Sequence, residues 1–94
     1  MSELISRPSA RAVPFDVAAP SALVVEVTGD FTGWVQHGIR LKHHGNGGWR
    51  TILRLEPGQY QYRLRINGEW NDHAEATRRV VNPFGTENCV LEVK

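Results

Sequence analysis

One stretch of this chain leaves little freedom in how it folds. From Tyr60 to Ile66 the residues alternate strictly: Tyr60, Tyr62, Leu64 and Ile66 fall on one side, and Gln61, Arg63 and Arg65 on the other. Successive side chains of an extended strand point to opposite faces, so this pattern predicts a strand with one apolar and one polar face. Turn signals bound it at both ends. Before it stands Glu56-Pro57-Gly58-Gln59, in which proline presets the first central φ and glycine supplies a positive φ at the second. After it stands Asn67-Gly68, the strongest short hairpin signal.

The same grammar recurs along the chain. Val13-Pro14-Phe15-Asp16-Val17 alternates, and Pro14, which cannot donate to a ladder, places it at a sheet edge. Ala22–Thr28 is β-branched and apolar and predicts a strand ended by Gly29-Asp30. Phe31-Thr32-Gly33-Trp34 reads as a loop, Gln36–Lys42 as a weaker extended segment, and His43–Gly48 as a glycine-rich turn. Trp49–Leu55 is a strand with Trp49, Leu53 and Leu55 on one face and Arg50 and Arg54 on the other. Asn71–Arg79 reads as an irregular connection, Asn82–Glu87 as a loop, and Asn88–Val93 as the last strand. No window holds a helical period, so the expected class is all-β, a sandwich or barrel of antiparallel strands. The expected core is Leu23, Val25, Val27, Trp49, Leu53, Leu55, Tyr62, Leu64, Ile66, Leu91 and Val93. Cys89 shares strand parity with Leu91 and Val93 and is expected to be a buried or half-buried strand residue rather than a reactive thiol.

A chain of 94 residues fits one domain. Residues 1 to about 12 show no period and read as a disordered tail, leaving 13–94 as the domain. No apolar run is long enough for a membrane span or a secretory signal, which points to a cytoplasmic protein. Eleven Lys and Arg against ten Asp and Glu give a net charge of +1, a poor basis for nucleic-acid binding, which rests on phosphate neutralisation. The single cysteine forms no internal disulfide and no thiolate metal site.

Few residues look catalytic. There is no GxxxxGK[ST] and no GxSxG. His37, His43, His44 and His73 lack cysteine partners, so no metal and no cofactor is expected. Glu69 and Asp72 are the one carboxylate pair conceivable for glycoside hydrolysis, which needs a cleft to fix their separation. The aromatics say more. Trp49 belongs to an apolar strand face and reads as core. Trp34 and Trp70 stand among glycine and polar residues beside turns, in Gly33-Trp34-Val35-Gln36 and Gly68-Glu69-Trp70-Asn71-Asp72. They either cap the ends of the sandwich or present flat apolar faces to a ligand. A sugar suits such faces: its C–H surface lies on an indole, and its hydroxyls take partners such as Arg, Asn and Gln.

The order of these motifs resembles family 48 carbohydrate-binding modules, which include the glycogen-binding domain of the AMP-activated protein kinase β subunit. Val25–Trp34 resembles their V-x-G-x-F-N-x-W opening. Leu55–Leu64 is similar to L-x-x-G-x-x-x-Y-K-F, Ile66–Asp72 to V-D-G-x-W-x-x-D, and Asn82–Asn88 to N-x-x-G-x-x-N. The resemblance covers residues 13–94 and implies an immunoglobulin-like (early-set) β-sandwich of two antiparallel sheets. It implies non-catalytic binding of α-1,4-linked glucans such as glycogen, starch and maltooligosaccharides, with no cofactor. By position it implies Trp34 and Trp70 as stacking residues, Arg63 as the basic residue where the kinase modules carry lysine, and Phe84, Thr86 and Asn88 as loop contacts. Phe84 replaces an aliphatic residue that reaches through the ring of a cyclic glucan, and a planar side chain implies stacking instead. Thr32 replaces the usual asparagine and His73 the usual proline.

A second class of function fits the same fold: a protein-interaction or regulatory docking module that binds a partner through a sheet edge or the tryptophan face without binding sugar. Convergence of Trp34, Trp70 and Arg63 on one surface discriminates the two.

Overall fold

The computed structural model describes residues 10–94. Most of the tail expected over residues 1–12 lies outside the described residues; Arg11 and Ala12 open the first strand, β1 (Arg11–Ala18). The strands that follow are β2 (Val25–Gly29), β3 (Ile39–Arg40), β4 (Lys42–His43), β5 (Gly48–Leu55), β6 (Gly58–Ile66), β7 (Glu69–Asn71), β8 (Arg79–Val81) and β9 (Glu87–Val93), and a three-residue 3₁₀ turn, Asp30–Thr32, follows β2. They form two antiparallel sheets, one ordered β1-β5-β4 and the other β3-β2-β6-β9-β8, with β7 also on β6. The fold is an all-β, immunoglobulin-like sandwich, as the resemblance implies.

Strand β6 is the centre of the larger sheet. One edge pairs with β2 from Val25↔Ile66 to Gly29↔Tyr62. The other pairs with β9 over Gly58–Tyr62 and with β7 over Leu64–Ile66. The Asn67-Gly68 turn between β6 and β7 carries positive φ at both residues, as a two-residue hairpin requires. Strand β1, with its Pro14, lies at the edge of the smaller sheet.

The core lies between the sheets. Phe15, Val17, Trp49, Leu53 and Leu55 come from the smaller one, and Val25, Val27, Tyr62, Leu64, Cys89 and Val93 from the larger one. Phe15 meets Tyr62 edge to face at 5.2 Å between ring centroids, a contact across the sandwich. Cys89 is fully buried.

The expected core needs three corrections. Leu23 is 83% exposed. It lies before β2 begins, where its N–H and that of Val24 are donated to Asn67 Oδ1 (2.7 and 3.1 Å); this turn contact, not strand parity, sets its direction. Ile66 and Leu91 are only partly buried, packed against the core rim. Phe15, Val17 and Leu41 are core residues that the sequence reading left out. Leu41 sits where the weak segment Gln36–Lys42 passes from one sheet to the other, between β3 and β4, and its N–H is donated to Val25 O at 2.8 Å.

His73 joins the sheets from the β7–β8 connection. Its Nδ1 lies 2.6 Å from the Tyr62 hydroxyl and its Nε2 lies 3.0 Å from the Asp16 carbonyl oxygen. The neutral ring satisfies both, Nδ1 accepting from Tyr62 and Nε2–H donating to Asp16. Glu75 also faces Nε2 at 3.0 Å, and Arg79 donates to the His73 carbonyl. Burial outweighs Glu75 and holds the imidazole pKa below its usual 6.5. The unfolded chain therefore binds more protons than the fold below that value. We expect the stabilisation from His73 to be complete above about pH 6.5 and to decline as pH falls through the folded pKa. Denaturant midpoints across that window should show the slope, and His73→Gln should flatten it.

Trp49 closes one end of the core, with its indole N–H donated to the Ala19 carbonyl at 3.1 Å and its ring 5.1 Å from that of His43. Trp49→Ala should cost ~3–5 kcal/mol. That is most of the stability of a small domain, so far-UV circular dichroism should show a largely unfolded variant at 25 °C.

Candidate functional site

The outward face of β6 carries Gln61, Arg63 and Arg65, because Tyr62 and Leu64 take the inward positions. Around this face a concavity of about 650 Å³ is lined by Trp34, Arg63, Trp70, Phe84, Thr86 and Asn88, together with Asp30, Gln61, Asn82 and Pro83. The six residues singled out from the sequence thus come together at one place, although they lie on three separate segments and on β6.

The Trp34 wall is built by the turn after β2. Gly29 is required at its start, since a Cβ there would overlap the Gln61 carbonyl oxygen and Tyr62. Thr32 holds the turn: its hydroxyl accepts the Gly29 N–H at 3.0 Å and lies 2.8 Å from that of Thr28, which donates to the Val35 carbonyl at 2.6 Å. The threonine that replaces the usual asparagine therefore caps the turn. Gly33 and Trp34 both adopt left-handed conformations, with φ of 68° and 59°. For a tryptophan this costs roughly 1 kcal/mol or more. Its N–H is donated to Gly29 O at 3.0 Å, and its indole N–H to Asp30 Oδ1 at 2.9 Å. Asp30 Oδ2 accepts the Gln61 N–H at 2.8 Å, so one carboxylate pins the indole to β6. The indole is 36% exposed and, with its N–H engaged, offers the concavity its ring alone.

Trp70 stands opposite Arg65 in the β6–β7 register. The guanidinium carbons of Arg65 and Arg63 lie 5.0 and 5.7 Å from its ring centroid, within cation–π range. Arg65 is buried and donates to the Gly68 carbonyl at 2.6 Å. Arg63 donates to Asp72 Oδ1 at 3.3 Å, and Arg79 approaches the other carboxylate oxygen at 3.7 Å. Asp72 thus anchors two arginines. Trp70 keeps 45% of its surface exposed.

The third wall is the loop between β8 and β9. Its tip, Phe84, is 90% exposed. Asn82 holds the loop: its Oδ1 accepts the N–H groups of Phe84 (3.0 Å) and Thr86 (3.2 Å), while its Nδ2 donates to Thr86 Oγ1 (2.7 Å) and Asn88 Oδ1 (3.0 Å). Asn88 is only 8% exposed and in turn donates to Gln61 Oε1 at 3.0 Å. Asn88 therefore forms part of the floor, with its amide oxygen and one N–H engaged internally.

Sequence reasoning passed over Asp30, Gln61 and Asn82 as site residues. The parity of Gln61 with Arg63 was a visible signal for it. Asp30 and Asn82 gave none beyond their place in glycine-containing turns. Of the Glu69 and Asp72 pair, Asp72 is engaged by Arg63 and Arg79. Among the described residues, no group of three or more His, Cys, Asp or Glu is placed to hold a metal, and no helix is long and apolar enough to cross a membrane.

Residues 20–94 match the family model for the glycogen recognition site of AMP-activated protein kinase, and the chain belongs to that family. It is similar to a 1,4-alpha-glucan branching enzyme, GlgB, of Salinibacter ruber, with 40% identity over 74% of this chain and 12% of the enzyme. It is similar to the chloroplastic phosphoglucan phosphatase LSF1 of Arabidopsis thaliana, with 33% identity over 71% of this chain and 11% of that protein. It is also similar to the AMP-activated protein kinase subunit beta-1 of Sus scrofa, with 29% identity over 74% of this chain and 54% of the subunit. The match spans only about a tenth of the first two relatives and about half of the third.

Asp30→Ala should release the Trp34 ring while leaving the sandwich folded. The expected readout is lower steady-state fluorescence anisotropy in a Trp70→Phe background, where Trp34 and the core-held Trp49 are the two remaining emitters, with unchanged far-UV circular dichroism.

Proposed function

We propose that this domain binds α-1,4-linked glucans (glycogen, starch or maltooligosaccharides) and performs no chemistry on them. The observation that carries the reading is the pair of half-exposed indoles, Trp34 and Trp70, lining one concavity with Arg63, whose guanidinium lies 5.7 Å from the Trp70 ring. Pyranose C–H faces lie on the two rings. The Arg63 guanidinium and the amide floor supply partners for hydroxyls, and Phe84 and Thr86 close the loop side. Phe84 stacks on a glucose unit at the rim.

The enzyme relatives support a division of labour. In the branching enzyme and the phosphatase the matched region is 12% and 11% of the whole, so most of each enzyme lies outside it. We extend this to the present chain: it holds the glucan, and another domain or protein acts on it. Family membership does not assign a compartment, since the phosphatase is chloroplastic by name; the cytoplasmic setting rests on the sequence reading alone.

If stacking removes about 50–80 Å² of apolar surface from water on each indole, each contributes roughly 1–2 kcal/mol at ~25 cal/mol per Å². Ordering a flexible oligosaccharide offsets part of this, so the dissociation constant should lie on the order of micromolar to millimolar. Titration with maltoheptaose, followed by tryptophan fluorescence, should show saturation that changes little with moderate salt. Trp34→Ala and Trp70→Ala should each weaken binding about 10-fold with the fold intact. A reducing-sugar assay on soluble starch should stay at background. A folded domain that gives no shift with millimolar maltoheptaose would move the assignment to the docking module.

A further inference from the structure

We propose that Gln61 is a further ligand-contacting residue, that it acts as a hydrogen-bond donor, and that Asn82, two residues removed in the network, sets this polarity. The inference rests on the glucan reading of the same site and adds to it a residue and a direction.

A backbone N–H can only donate, so the end of the Asn82 amide that faces the N–H groups of Phe84 and Thr86 is its oxygen. Its nitrogen then faces Asn88, which must present oxygen to it at 3.0 Å. Asn88 Nδ2 consequently faces Gln61, which must present Oε1, also at 3.0 Å. Each amide fixes the next. The last one, Gln61, is left with its Nε2 and both N–H groups turned away from the relay. Gln61 lines the concavity and is exposed, and among the described residues its Nε2 has no hydrogen-bond partner. Its backbone is held independently by Asp30.

The floor therefore presents a donor to the concavity that Gln61 lines together with Trp34 and the Asn82 loop. The complementary ligand group is an acceptor oxygen with no obligatory charge: a hydroxyl, a ring oxygen or a glycosidic oxygen of a sugar lying on the indoles. Asn82 touches the ligand only through what it orients and is a positioning residue.

A double-mutant cycle separates this relay from a merely structural role. Gln61→Ala removes the donor and should weaken maltoheptaose binding about three- to tenfold, the range for one neutral hydrogen bond. Asn82→Asp keeps an oxygen for the two backbone N–H groups, so the loop is retained, but it offers Asn88 a second oxygen. Asn88 must then turn its nitrogen toward position 82, Gln61 must turn its nitrogen toward Asn88, and Gln61 Oε1 faces the ligand. Asn82→Asp should thus weaken binding by a similar factor in the wild-type background and by little in the Gln61→Ala background.

Side-chain amide NMR of the free protein reads the relay without ligand. Wild-type Asn82 and Asn88 should show protected N–H₂ protons and Gln61 exposed ones, with Gln61 becoming protected in Asn82→Asp. Equal, additive losses from the two substitutions, or protected Gln61 N–H₂ protons in the free wild-type protein, would overturn the proposal. A wild-type domain with this protection pattern but no maltoheptaose binding would instead overturn the glucan reading, and the Gln61 contact with it.

Discussion

Strand β6 is hydrogen-bonded along both edges, to β2 on one side and to β9 and β7 on the other. A strand held this way cannot slip by one residue without exchanging its two faces. Its register therefore commits Tyr62 and Leu64 to the core, and Gln61, Arg63 and Arg65 to the opposite face, in one step. The core and the site are the two sides of one pairing pattern. Because the floor of the concavity is strand rather than loop, the aromatic walls stand on a rigid base.

The walls are fixed by different means. Trp34 is held in a left-handed backbone conformation by a capped turn and by the Asp30 carboxylate. Trp70 lies against the guanidinium groups of Arg63 and Arg65, which are themselves tied to Asp72 and to the Gly68 carbonyl. Phe84 is held only through its backbone, by the Asn82 amide. The two indoles are thus oriented by contacts within the protein, while for Phe84 only the backbone is fixed. Preorganisation of this kind lowers the ordering cost of any ligand contact made on those rings.

His73 shows how the small core is supplemented. One neutral imidazole reaches the Asp16 carbonyl in one sheet and the Tyr62 hydroxyl in the other, and its neighbour Asp72 anchors Arg63 on the outer face. The β7–β8 connection, irregular in backbone, thereby joins the two sheets to the site. Proline, the residue usual at this place in the resembling modules, carries no such side chain, so the bridge belongs to the histidine.

The local signals in the sequence determined the strands, the hairpin at Asn67-Gly68, the all-β class and the inward set around Tyr62 and Leu64, because period-two alternation and turn chemistry are properties of neighbouring residues. The settings of Trp34 and Trp70 among glycine and polar residues already separated them from Trp49. Tertiary structure decided what depends on distant partners. Leu23 is turned outward by Asn67, and Leu41 is buried where the chain crosses between sheets. Asn88 became part of the floor because Asn82 and Gln61 engage its amide, and Gln61 lies 27 residues away from it in the chain. The direction of a side-chain amide is set by its partners in space, and no spacing along a strand encodes it.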